Sequence, residues 1–188
     1  GRVQIIAKVA NNDFENLDGY HFFQSSDLNN SKIVSVSESL VESISGFSEN
    51  DTITISAIIY DVPGNMTIGS ESDTKLVINQ SIPIIINSNI ESDFSDSSLA
   101  GVDNLITLIF ETDTEIIIPS VTISGQEAII VNLGNNEWQA SYTMQGSDED
   151  GIIPFIVNFT DVYGNPNSVI NSTEDGTSVT FDNSKPSL

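Results

Sequence analysis

The sequence predicts an all-β chain of two tandem sandwich modules, and three observations carry that prediction. Apolar and polar residues alternate along most of the chain, which is the two-residue period of a half-buried strand. A five-residue turn occurs twice, as Asp61-Val62-Pro63-Gly64-Asn65 and, about 100 residues later, as Asp161-Val162-Tyr163-Gly164-Asn165. Each copy follows an alternating apolar run, 52–60 or 152–160, and precedes a second short strand and a proline, Pro83 or Pro186. The 188 residues suffice for two domains of ordinary size.

In the first module, 1–83, the strand candidates are 3–9, 20–25, 32–37, 41–45, 52–60 and 75–79. Ile53, Ile55, Ala57 and Ile59 share one face of the repeated run and form its expected inner face. This set is one strand short at the front. Either the module is a trimmed sandwich, or its first strand lies upstream of Gly1. The boundary falls at 80–83, a short linker that proline makes stiff. In the second module, 84–188, Ile106, Leu108 and Phe110 share a face, and Val121 and Ile123 follow, then 128–131. Trp138, Ala140, Tyr142 and Met144 alternate with Gln139, Ser141, Thr143 and Gln145. Ile153, Phe155, Val157 and Phe159 alternate next, and Val179 and Phe181 close the module. Seven or so short strands separated by turn signals read as a sandwich.

The formal net charge is −22, from 27 acidic and 5 basic residues. Phosphates would be repelled, which excludes nucleic acid as a partner. Anionic membrane surfaces are disfavoured for the same reason. No apolar run approaches the ~18 residues of a membrane span. Gly1-Arg2-Val3 leads straight into a strand without a signal peptide, as expected for a piece of a longer protein. Cysteine is absent, so there is no disulfide and no thiolate metal site.

The acids crowd into loops 91–104 and 147–151. A sandwich of this kind gathers those loops and the chain exit at one end, which would hold Asp93, Asp96, Asp103, Asp148, Asp150 and Asp182. Like charges at close range are unfavourable unless a cation joins them. Oxygen ligands without His or Cys select Ca²⁺. Two ligand sets follow: Asp103, Asp148, Asp150 and Asp182 at the far end, and Glu49, Asp51, Asp161 and Asn165 at the joint between modules. A plainer reading stands beside this one. Acidity maintains solubility, and Asp61 and Asp161 cap their own turns while Gly and Asn supply positive φ.

His21 is the lone histidine; it is expected to face solvent and has no partners for a triad or a zinc site. No glycine-rich phosphate loop is present. Carboxylate pairs abound, but a small sandwich offers little of the cleft a glycosidase needs. Trp138 and Tyr142 read as core residues. Glycosylation sequons occur at Asn29, Asn50, Asn65, Asn79, Asn158 and Asn171, a number that an Asn-, Ser- and Thr-rich chain approaches by chance.

The second module resembles the bacterial Ig-like repeats of very large surface adhesins. The likeness lies in Leu99-Ala100-Gly101-Val102-Asp103, in Ile106-Thr107-Leu108-Ile109-Phe110 and in the run from Asn135-Asn136-Glu137-Trp138 to Met144. It continues through Phe159-Thr160-Asp161-Val162-Tyr163-Gly164-Asn165, Ser178-Val179-Thr180-Phe181-Asp182 and Pro186. The first module, fibronectin-III-like or Ig-like, matches only through 57–65 and 76–83, and its Asn79 stands where the second has Asp182. The resemblance implies two Ig-like sandwiches in an extracellular, surface-attached filament or adhesin. Its partners would be neighbouring modules, its joints often carry Ca²⁺, and it has no catalysis. The expected role is a non-enzymatic segment that extends and spaces. The alternative is a binding module that engages a glycan, a protein or a neighbouring copy, marked by a large exposed apolar patch.

Overall fold

The computed structural model of the chain describes residues 1–27 and 30–185. The Asn29 sequon and Pro186 lie outside the described residues. The chain divides into two compact units, Gly1–Asn79 and Gln80–Leu188. Both are built mainly from antiparallel strands, with one parallel pair in the second unit, and the one α-helix among the described residues has five residues.

The first unit is a single six-stranded sheet. Its strands are β1 (Arg2–Val9), β2 (Glu15–Asn16), β3 (His21–Phe22), β4 (Thr52–Tyr60), β5 (Met66–Ile68) and β6 (Leu76–Val77). β1 and β4 pair along their whole length, from Arg2 opposite Tyr60 to Val9 opposite Ile53. That register stacks Val3, Ile5, Ala7 and Val9 beside Ile59, Ala57, Ile55 and Ile53, so one face is wholly apolar. It is covered by chain, not by a second sheet. Val36, Val41, Ile44 and Phe47 pack on it, with Val41 in the short helix α1 (Glu38–Glu42).

Four expectations for this unit change. Residues 41–45, expected as a strand, belong to α1 and the turn after it. Val41, Ile44 and Phe47 recur every three residues, a helical spacing, and Gly46 at φ 79° ends the run. Residues 32–37, expected as a strand, are assigned to neither strand nor helix. Strand 20–25 shrinks to β3, because Ser25–Asp27 turns as a 3-10 helix. The inner face of β4 is buried only at one end: Ile53 is 0% exposed, Ile55 and Ala57 are half-buried, and Ile59 is 44% exposed. The opposite face of β4 is covered as well. Thr54 and Ser56 are buried there, and the Ser56 hydroxyl donates to the carbonyls of Gly69 and Ser70.

The second unit has two facing sheets and is sandwich-like. Its strands are β7 (Ile85–Ser92), β8 (Leu99–Ala100), β9 (Leu105–Thr112), β10 (Ser120–Ile123), β11 (Gln126–Glu127), β12 (Ile129–Gly134), β13 (Glu137–Thr143), β14 (Gly151–Ile152), β15 (Phe155–Asn158) and β16 (Thr180–Phe181). One sheet runs β12-β13-β9-β7 and another β11-β10-β15, while β14, β16 and β8 form a small third. Among the described residues a cluster of eighteen buried apolar residues fills the space between them, against a cluster of six in the first unit, so this unit carries the larger core. Ile106, Leu108 and Phe110 from β9 meet Val121, Ile123, Phe155 and Val157, and the Phe110 and Phe159 rings stack 6.5 Å apart. The expected inner residues Ile153, Phe155, Val157 and Phe159 are all buried. The run that holds them is two strands, because Pro154 has no N–H for a ladder. Before it, Ile152 pairs with Thr180; after it, Phe155 pairs with Ile123.

Core truncations should report this difference. Phe155→Ala should cost about 3–5 kcal/mol and Ile53→Ala about 2–5 kcal/mol. Ile59→Ala, on the same face as Ile53, should cost less than about 1 kcal/mol. Denaturant melts read all three, and equal losses at Ile53 and Ile59 would contradict the described burial.

Candidate functional site

The duplicated turn is built the same way twice. Asp61 N–H donates to the Asn65 carbonyl at 3.0 Å, and Asp161 N–H to that of Asn165 at 3.0 Å. In the first copy Asp61 Oδ1 accepts from the N–H groups of Gly64 and Asn65, and Oδ2 accepts from the Asn65 amide at 2.7 Å. In the second, Asp161 Oδ1 accepts from Tyr163 and Asn165, and Oδ2 from the Asn165 amide at 2.9 Å. Gly64 and Gly164 take φ values of 100° and 97°, a region that a Cβ disfavours. The spacing Asp-x-x-Gly-Asn thus places both carboxylate oxygens against donors of their own loop.

The copies differ in burial. Asp61 is exposed, whereas Asp161 is 2% exposed. Burial pushes the Asp161 carboxyl up, but the donors on Asn165, Tyr163 and Gly164 more than offset it and hold the group below the usual range. Asp61 is also held low, first by the Asn65 amide.

The far-end set comes together through backbone contacts within the second unit. Asp103 N–H donates to the Met144 carbonyl and Asp182 N–H to that of Ala100. The Asn183 amide donates to the Gly146 carbonyl. Each of three carboxylates there already serves a loop. Asp148 accepts from Gln145 N–H and from the Tyr142 hydroxyl, at 2.7 and 3.3 Å. Asp150 accepts from Asn183 N–H and the Ser184 hydroxyl, both at 2.7 Å, and these donors hold its carboxyl low. Asp182 accepts from Ser184 N–H at 2.7 Å. Asp103 is exposed, at a left-handed φ of 69°. Asp93 accepts from Leu105 N–H and the Asn104 amide, and Asp96 from Ser98. An open cleft of about 390 Å³ runs beside Asp148, Glu149 and Asp150.

Among the described residues no three His, Asp or Glu side chains converge as ion ligands. Of the set expected at the joint, Asp51 accepts from Ser48 N–H at 2.8 Å in the first unit, and Glu49 lies beside it in that exposed turn. Asp161 and Asn165, in the second unit, bond to each other. His21 is half-buried, with Nε2 3.3 Å from Asp18 Oδ2.

Two features escaped sequence reasoning. Arg2 lies over the rings of Tyr20 and Tyr60, 4.4 and 4.6 Å from their centroids, a clamp between residues distant in sequence. The other is an exposed apolar stripe on β12, Ile129, Val131 and Leu133. Its alternation was visible, but which face met solvent depended on the neighbouring strand. No protein-family model and no curated protein matches the chain.

Asp161→Ala should cost about 1.5–3 kcal/mol, the range for hydrogen bonds to a charged group whose donors are left buried. Asp61→Ala should cost less, because water replaces the carboxylate. The pH dependence follows from the lowered Asp161 pKa. Its contribution is full above the unfolded carboxyl value of about 3.9 and is lost as pH falls through the lower folded value. Acid titrations of stability should show a shallower loss below about pH 4 in the Asp161 variant than in the parent.

Proposed function

We propose that this chain is a non-enzymatic segment of tandem Ig-like modules in a large extracellular, surface-attached adhesin or filament, where it extends and spaces. The recurrence of one hydrogen-bonded turn in two compact units carries the reading, since a spacer grows by repeating a unit. The β12-β13-β9-β7 and β10-β15 sheets support the Ig-like assignment, because two antiparallel sheets enclose one core with strands in that crossing order. In the first unit the single sheet supports only the coarser statement of an all-β module.

Ca²⁺ enters the proposal as a stiffener, at the end that holds Asp103, Asp148, Asp150 and Asp182. Since three of these carboxylates serve loop donors, the ion would draw further oxygens from a neighbouring module. What the chain itself contributes is a preset ring of carboxylate-bearing turns.

Thermal melts test the calcium part. A ligand bound only to the folded state raises the melting temperature with its concentration. Millimolar Ca²⁺ should raise it beyond Mg²⁺ or monovalent salt at matched ionic strength, and Asp150→Asn should remove the surplus. An equal rise with every salt is screening and removes calcium from the proposal. Reproducible hydrolysis of a glycan, ester or peptide, abolished by one carboxylate-to-amide change, would overturn the non-enzymatic reading.

A further inference from the structure

Asp18, Asp150 and Asp175 each precede a glycine, and no asparagine does. An Asp-Gly pair is where a backbone nitrogen most easily reaches the side-chain carbon of the residue before it. Glycine has no Cβ to hinder the approach, and its backbone turns most freely. The fold treats the three pairs differently.

Two of them are tied away from the reaction. Asp150 accepts from Asn183 N–H and the Ser184 hydroxyl, both at 2.7 Å, and Gly151 is held in β14 opposite Phe181. Asp175 Oδ1 accepts from the N–H and the hydroxyl of Thr177, at 2.9 and 2.7 Å, and that threonine oxygen in turn accepts from Ile90 N–H. These donors hold both carboxyls below the usual range, in the ionised form that a nucleophile attacks least readily. Asp18 is arranged the other way. Its Oδ1 accepts from the N–H of Gly19 itself at 2.6 Å, so that nitrogen lies beside the Asp18 carboxyl, with Cγ one bond behind the oxygen. Residues 18–20 belong to no strand or helix, Asp18 is half-buried and Gly19 is exposed to water. A Cβ on Gly19 would meet no atom within 4 Å, so the backbone there has room to turn.

We infer that Asp18-Gly19 is a modification site, at which the folded chain converts aspartate into isoaspartate through a cyclic imide. The Gly19 nitrogen attacks Asp18 Cγ, and a C–N bond forms. The carboxyl hydroxyl leaves with the proton of that nitrogen as water. Water then adds to one of the two imide carbonyls. Opening at Cγ restores aspartate. Opening at the α-carbonyl leaves the main chain running through Cβ and Cγ and frees the α-carboxylate. Composition is unchanged, and water is the only co-reactant. The lengthened chain disturbs what Asp18 holds. Its carbonyl accepts from Gln4 Nε2 at 3.3 Å, its Oδ2 lies 3.3 Å from His21 Nε2, and Tyr20 forms one side of the Arg2 clamp. The edge formed by β2 and β3 therefore loosens from β1 as the protein ages. The inference goes beyond the spacer role and does not rest on it.

The test ages the full chain in warm, neutral, heavy-oxygen water and follows each Asp-Gly peptide by mass spectrometry. Each passage through the imide leaves one heavy oxygen, and enzymatic methylation of the freed α-carboxylate counts isoaspartate. Label should enter at Asp18 about 10-fold faster than at Asp150 or Asp175, because only there is the nitrogen held against the carboxyl. In denaturant the three rates should converge. Gly19→Ala, at an open position, should melt like the parent and slow the reaction at Asp18; Asp18→Glu, which would need a larger ring, serves if it does not. Hydrogen exchange should rise across 15–22 in the aged protein and stay unchanged in the second unit. Equal rates in the folded chain, faster labelling at Asp150 or Asp175, or no labelling at all would overturn the inference. So would a preference for Asp18 that persists in denaturant, because the neighbouring side chains and not the fold would then set it.

Discussion

An apolar sheet face must be covered, and the two units meet that constraint with unequal resources. In the second unit, β9 and β13 present Ile106, Leu108, Phe110, Trp138 and Ala140 to a facing sheet. Two sheets then cover each other, and burial is complete along the strands. In the first unit, β1 and β4 present an equally apolar face, but the cover is irregular chain around α1. That cover reaches Ile53 and Ala7 and thins toward Ile59. At roughly 25 cal/mol per Å² of apolar surface, the uncovered end forfeits part of the burial that would stabilise a sandwich. The first unit recovers some of it through Arg2, whose guanidinium bridges Tyr20 and Tyr60 on the other face.

The acidity has a local cause as well as a global one. Twelve of the fifteen aspartates accept a backbone N–H with a side-chain oxygen. Among the glutamates, Glu15 accepts from Ser45 N–H at 3.4 Å. The short aspartate side chain reaches the backbone of its own loop. Short strands need many turns, and here aspartate forms them. Much of the negative charge is therefore a consequence of turn chemistry, which also explains why acid-rich loops at one end need not be a metal shell.

Much of the second unit was legible because its strands bury one face and expose the other. Trp138, Ala140 and Met144, or Phe155 and Val157, declare their direction by alternation alone. The first unit was less legible because β4 is covered on both faces, so Thr54 and Ser56 are more buried than Ile55 and Ile59 on the apolar face. Residues 41–45 misled in another way. A short apolar run fits a strand or a turn of helix, and only the spacing of Val41, Ile44 and Phe47 separates them. At the site, the turn was readable because an Asx cap is a local interaction. The positions of Asp148, Asp150 and Asp182 relative to their donors were not, because Asn183 and Ser184 approach Asp150 across the fold.

Charge and edge protection are linked in this chain. An edge such as β12, six residues long with three exposed aliphatic side chains, invites pairing with any similar edge. Lysine on the strand would blunt it, but the second unit has only Lys185, away from that strand. β12 instead carries a bulge between Asn132 and Gly134, which breaks the ladder at that end, and the net charge adds to this protection because copies of the chain repel one another before their edges meet. That protection is selective. It holds against acidic neighbours, weakens as salt shortens the Debye length, and does nothing against a basic strand.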